Sequence, residues 1–214
     1  MFICNPRSPT WSDGSLLNLI EKTISGDWGK ERTEGMYAEK VLCVRGADIP
    51  DIKKGKKGKT PTRYILAKNC SSKKLNCDDI IVEISGGSPT QSTGRAVLVS
   101  DTLISQNGNV ICTNFCRALR PKKDYGLSVY YYLDYLYQKG ILFAYENGTT
   151  GIKNLDLSSF LERENVKLPP TEEIMKFSDF AKRCHKLINQ NGLENEALQV
   201  IRDNLLRIVF LPKP

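Results

Sequence analysis

The chain holds one histidine, His185, among 214 residues. A Ser-His-Asp site would have to be built on it alone, and it falls in a long C-terminal helical stretch. No CxxC pair exists. Cys112-x-x-x-Cys116 comes nearest to zinc-ligand spacing, but His185 lies on the distant helix, so no metal site is expected. No apolar stretch approaches the ~20 residues of a membrane span. The N-terminus lacks a basic segment followed by an apolar run, so nothing resembles a signal peptide. No glycine-rich fingerprint follows a strand, so no bound cofactor is expected. Seven cysteines (Cys4, Cys43, Cys70, Cys77, Cys112, Cys116 and Cys184) form an odd set at irregular spacing. They read as reduced thiols of a cytoplasmic protein.

What is present is basic. Lys and Arg number 31 against 24 Asp and Glu, a net charge of +7. That balance points to nucleic acid or another polyanion, with a solvated lysine-rich surface as the alternative. The length allows one sizeable domain with an appendage, or two small domains.

Leu16, Leu17, Leu19, Ile20 and Ile24 suggest a short helix capped by Asp13 or Ser15 and ended by the turn Ser25-Gly26-Asp27-Trp28-Gly29. Segments rich in β-branched residues predict strands over 41–44, 64–67, 80–84, 96–99 and 110–119. Gln106-Asn107-Gly108-Asn109 reads as a hairpin turn. Val129, Tyr132, Leu133 and Leu136 share a face, which predicts a helix over 128–139 with Ser128 as cap and Gly140 just past its end. Its tyrosines read as packing residues with hydroxyls at the surface rather than as a base-stacking platform. Ile152–Phe160 reads as a short extended or turn segment.

Leu168-Pro169-Pro170-Thr171-Glu172-Glu173 then opens a long helix. Proline suits the first turn and the two glutamates suit its positive end. Ile174, Phe177, Ala181, Cys184 and Ile188 keep a 3,4 spacing. Leu198, Ile201, Leu205 and Ile208 resume it after a one-residue slip, giving a coiled-coil-type seam. Asn-Gly at 191–192 could be the turn of a helical hairpin; the seam crosses it nearly in phase and favours a continuous helix. So long a helix is expected to lie against another chain or a repeat rather than against a small core.

Two loops carry candidate chemistry. Gly58-Lys59-Thr60 imitates the end of a phosphate-binding P-loop, but Lys53 stands where that pattern needs glycine and Pro61 stops the helix it needs. The tract Lys53, Lys54, Lys56, Lys57 and Lys59, closed by Arg63, is instead a flexible cationic loop able to neutralise phosphates. Ser85, Gly86, Gly87, Ser88, Thr90, Gln91 and Arg95 offer N–H groups, hydroxyls, an amide and a guanidinium to DNA. Asp78, Asp79 and Glu83 are the carboxylates of a rival nuclease reading, but Ser85 stands where an E-x-K pattern needs lysine. A second rival is an assembly protein that acts through the helix and never reads DNA.

Five stretches together resemble one family. Gly26-Asp27-Trp28-Gly29-Lys30-Glu31 is similar to the opening of a target-recognition domain in the specificity (S, HsdS) subunit of type I restriction-modification systems. Val44-Arg45-Gly46-Ala47-Asp48-Ile49, Asp79–Glu83 with the loop after it, and Thr149–Leu155 resemble later parts of such domains. Leu168-Pro169-Pro170-x-Glu172-Glu173 resembles the boundary where the family's conserved helix begins, although Ile174 replaces the usual glutamine.

The resemblance implies an α+β domain with a mixed or antiparallel sheet over residues 1–168, then a spacer and dimerisation helix over 169–214. Full S subunits carry two of each, so this chain looks like a half-subunit or the N-terminal half of a longer one. It implies a non-catalytic protein that reads one half of a bipartite site in double-stranded DNA. Its expected partners are methyltransferase (M) and restriction (R) subunits, which would use S-adenosylmethionine and ATP. A second copy is expected to pair through Phe177, Ala181, Cys184, Ile188, Leu198, Ile201, Leu205 and Ile208.

Overall fold

The computed structural model describes residues 11–86, 91–148 and 152–210. Strand β1 (Ser12–Ser15) leads through a 3-10 turn, Leu16–Leu19, into β2 (Ile20–Ser25). β3 (Tyr37–Val44), the short α1 (Ile49–Ile52), β4 (Thr62–Leu66) and α2 (Ala67–Lys73) follow. Next come β5 (Ile80–Glu83), β6 (Ser85–Gly86), β7 (Ala96–Leu98), α3 (Asp101–Asn107), β8 (Val110–Cys112) and β9 (Cys116–Pro121). The chain then forms α4 (Gly126–Gln138), β10 (Glu146–Asn147), β11 (Lys153–Leu155), α5 (Leu157–Arg163), β12 (Asn165–Leu168) and α6 (Thr171–Phe210).

The class is α+β. An antiparallel sheet in the order β2-β9-β5-β7 stands beside a second sheet, β4-β3-β8, in which β3 and β8 run parallel. Two small sheets, β10-β11-β6 and β1-β12, also form. Because strand side chains alternate faces, Ile80 and Val82 point into one core while Ile81 points into another. The first core lies under α4 and α5, with Leu133, Leu136 and Phe160; the second joins the sheets through Val44, Val97, Cys112 and Ala118. Tyr130 is buried in the first core, and Tyr131, Tyr132, Tyr135 and Tyr137 pack partly buried against it.

Four expectations about the elements before the long helix are corrected. Residues 16–25 are a 3-10 turn and a strand, not a helix. Ile20 and Ile24, four apart, satisfy a strand's period of two as well as a helical turn, and pairing with β9 decides between them. Asn107-Gly108 ends α3 rather than a hairpin: Ser100 Oγ caps that helix at Leu103 N, and Gly108 supplies φ +75° beyond its last turn. A turn and a helix end both call for positive φ, so the dipeptide alone does not distinguish them. The single strand expected over 110–119 is two, broken at Thr113–Phe115. The extended segment expected over 152–160 gives way at Leu157 to α5, capped by Asp156.

The long helix is continuous from Thr171 to Phe210, about 60 Å at 1.5 Å per residue. Its first half does fold against its own domain, contrary to expectation. Ile174 is 1% and Ala181 2% exposed. Phe177 packs edge-on to Tyr131 at 5.7 Å, and Ser178 Oγ donates to Asp124 O at 3.2 Å. From Ala197 to Phe210 every residue is exposed. Among the described residues, no helix is long and apolar enough to cross a membrane.

Candidate nucleic-acid interface

Strand direction gathers distant turns at one edge. The end of β2 pairs with the start of β9, Ser25 opposite Arg117, and the end of β5 faces the same point, Glu83 opposite Cys116. β3 and β8 run parallel, so the turns after Val44 and Cys112 leave on the same side. Residues 26–29, 45–48, 83–86 and 113–115 therefore meet. They enclose a cleft of about 430 Å³ whose lining includes Trp28, Arg45, Gly46, Ser85, Asn114 and Phe115. β11 pairs with β6, Lys153 opposite Gly86, which brings the 152–155 segment alongside.

Each turn is tied down. Gly26 approaches the backbone so closely that a Cβ would lie 2.7 Å from Cys112 O. Asp27 accepts from Asn69 Nδ2 at 2.6 Å and Lys73 Nζ at 3.2 Å. Burial alone would raise that carboxyl; Lys73, Asn69 and the Gly29 N–H outweigh it and hold it below its ordinary value. Arg45 forks onto Asp48 at 2.9 and 2.7 Å and also reaches Lys59 O at 3.0 Å. The end of the lysine loop is thus fastened to the rim of the cleft.

The candidate residues divide by environment. Lys54, Lys57, Lys59 and Gln91 are exposed, whereas Lys56, Ser85 and Gly86 are half-buried. Lys53 pairs with Asp134 on α4, its ammonium 5.9 Å from the centre of the Tyr130 ring. Arg63 is buried, stacked 3.7 Å over Trp28 and paired with Glu31 at 3.0 Å. Arg95 is committed to Glu83. Gly87, Ser88 and Thr90 lie outside the described residues.

Of the eight seam residues, Phe177 and Ala181 pack on their own domain, Cys184 is half-buried, and Ile188 is at the margin. Leu198, Ile201, Leu205 and Ile208 are between 54% and 77% exposed.

The carboxylates of the nuclease reading are occupied. Asp79 receives two hydrogen bonds from Arg120, at 2.9 and 2.7 Å, and Glu83 two from Arg95. Among the described residues no group of three histidine, cysteine or acidic side chains could hold a metal. Cys112 and Cys116 sit in the core, where burial pushes the Cys116 thiol up to about 12. His185 instead lies 5.5 Å from both Tyr130 and Tyr131. The sequence reading passed over Asn114 and Phe115, which is 60% exposed at the cleft. Their interruption of the 110–119 run was the available signal.

The fold is thus an α+β domain carrying a largely apolar, partly aromatic cleft beside a lysine-rich loop, and a long C-terminal helix. The family model for the type I restriction modification DNA specificity domain matches residues 46–202. That is well over half of the chain, and the chain belongs to this family.

Two solved structures are similar in fold. One is a chain from a study of complex assembly and conformational transition of the type I R-M system, with TM-score 0.54 at 17% identity over 90% of this chain and 44% of that one. The other is the type I restriction-modification S subunit from M. genitalium, with TM-score 0.54 at 16% identity over 92% of this chain and 43% of that one. The chain therefore spans less than half the length of either. No curated protein matches it.

Proposed function

We propose that this chain binds one half of a bipartite double-stranded DNA site sequence-specifically, and that it serves a type I restriction-modification system as its specificity subunit. Residues 1–168 act as the recognition domain and 169–214 as spacer and pairing helix. The observation that carries this is the convergence at one cleft of all four turns, with Lys59 fastened at its rim. Exposed Lys54, Lys57 and Lys59 contact phosphate and hold register, while Ser85, Gln91 and the cleft side chains read base edges.

Two copies pair through Leu198, Ile201, Leu205 and Ile208 and read a two-fold symmetric split site. The proximal seam residues Phe177 and Ala181 serve the chain's own domain instead. M and R subunits join the complex and supply the chemistry, which puts the chain in the cytoplasm with the DNA. Selection of duplexes from a random pool by the purified chain tests the DNA reading. Enrichment of a defined half-site supports it; recovery of duplexes without sequence preference contradicts it.

A further inference from the structure

α6 parts from its own domain at one narrow place, and that place is built from two glycines. Gly192 is buried in mid-helix. A Cβ there would collide with the carbonyl groups of Lys54 and Gly55. A Cβ on Gly55 would in turn stand 2.7 Å from Asn189 Cα on the same helix. Gly55 also adopts φ +73°, which an L side chain rarely tolerates. Backbone therefore meets backbone, and neither residue has a flexible atom that could yield.

The loop is anchored on both sides of this contact. Lys53 pairs with Asp134 on α4, and Gly58 N donates to Glu196 Oε1 at 3.3 Å. Past Glu196 the helix is exposed on all sides. Glycine in an exposed helix interior is less favourable than alanine. Here the missing side chain is what permits the approach.

We infer that the Gly55–Gly192 contact determines spacing: it fixes the direction in which the free arm of α6 leaves the domain, and with it the separation of the two half-sites that a pair of chains reads. This rests on the DNA reading proposed above. The arm from Gly192 to Phe210 is about 27 Å long at 1.5 Å per residue. A tilt of about 20° at its base, the size of an ordinary helix kink, carries its tip roughly 9 Å. At ~3.4 Å per base pair that is two to three base pairs. The bases read in each half-site depend on the cleft and its loops, so they stay the same.

The test uses the complete chain with its M subunit, as wild type, Gly192→Ala and Gly192→Leu. One readout is the methylated motif by sequencing. The other is the distance between spin labels at exposed positions 71 and 207, measured in labelled chain diluted with unlabelled chain. We expect Gly192→Leu to shift the label distance and to change the spacer by at least one base pair, with the half-site bases unchanged. A shifted distance with the wild-type spacer, or an unshifted distance in folded protein, overturns the inference. Should Gly192→Leu lose methylation altogether, Gly192→Ala decides: altered or mixed spacers support the inference and a wild-type spacer overturns it. A wild-type chain that directs no split-site methylation overturns the DNA reading itself, and the spacing role with it.

Discussion

Arg95 grips Glu83 through two hydrogen bonds, 2.8 and 2.7 Å long, and Gly46 lies so close to that carboxylate that a Cβ would stand 2.9 Å from Glu83 Cδ. The pair joins the strand leading to the 85–95 loop to the turn after β3. Removing one partner of a buried pair strands the other and typically costs on the order of 3 kcal/mol. Glu83→Gln should lower the thermal midpoint markedly, and Gly46→Val should do so by displacing the carboxylate. Thermal denaturation measures both. An unchanged midpoint for Glu83→Gln would remove the structural role given to this pair.

The lysines of the loop should separate into two kinds. Lys54, Lys57 and Lys59 are exposed, and replacing all three by Gln should flatten the dependence of log binding constant on log salt by about 2.7, roughly 0.9 per phosphate contact. Lys53 pairs with Asp134, so Lys53→Gln should lower stability more than it changes the salt slope. Titrations of duplex DNA at several salt concentrations, alongside denaturation, distinguish them. Equal slopes for the triple variant and wild type would take this loop off the DNA.

His185 should make the fold acid-sensitive. Burial lowers its pKa below the ordinary 6.5, against the opposing pull of the Asp78 carboxylate. Its Nε2 is buried with no hydrogen-bond partner among the described residues. Below about pH 6.5 the unfolded chain therefore takes up a proton that the folded chain resists. The contribution is fully present above 6.5 and is lost progressively as pH falls toward the lowered folded value. His185→Phe, placed between Tyr130 and Tyr131, should lose less of its thermal midpoint between about pH 7.5 and about pH 5. Parallel slopes for the two proteins would contradict this.

The distal arm should matter to assembly and little to the fold. Leu198, Ile201 and Leu205 are all more than half exposed. Ile201→Glu with Leu205→Glu should halve the mass seen by sedimentation, while stability of the single chain stays within about 0.5 kcal/mol. A wild-type chain that sediments as a monomer at micromolar concentration would contradict the pairing.

Legibility followed how local each signal was. β5 and α4 could be read because a buried β-branched run and an apolar face at helical spacing survive any context. α6 was equally plain, but its partner was not: the same 3,4 spacing that suggests another chain also serves Ile174 and Ala181 against their own α4. Gly192 looked like a weak point because propensity says nothing of what approaches from outside the helix. The cleft was partly legible. Its turns carried the family resemblance, yet that Trp28, Arg45 and Phe115 line one cleft follows only from the parallel pairing of β3 with β8 and the antiparallel pairing of β9 with β2 and β5. Such long-range choices leave no period in the sequence. Arg63 and Arg95 offered charge to DNA in one dimension; in three they are spoken for by Trp28, Glu31 and Glu83.

The central claim, that this chain chooses the DNA site, is tested most directly by sequencing the methylome of cells that carry the M subunit with and without it. The account predicts a split motif that gains adenine methylation only when the chain is present, palindromic if two copies pair. An active M subunit whose methylation pattern is the same in both strains would contradict it.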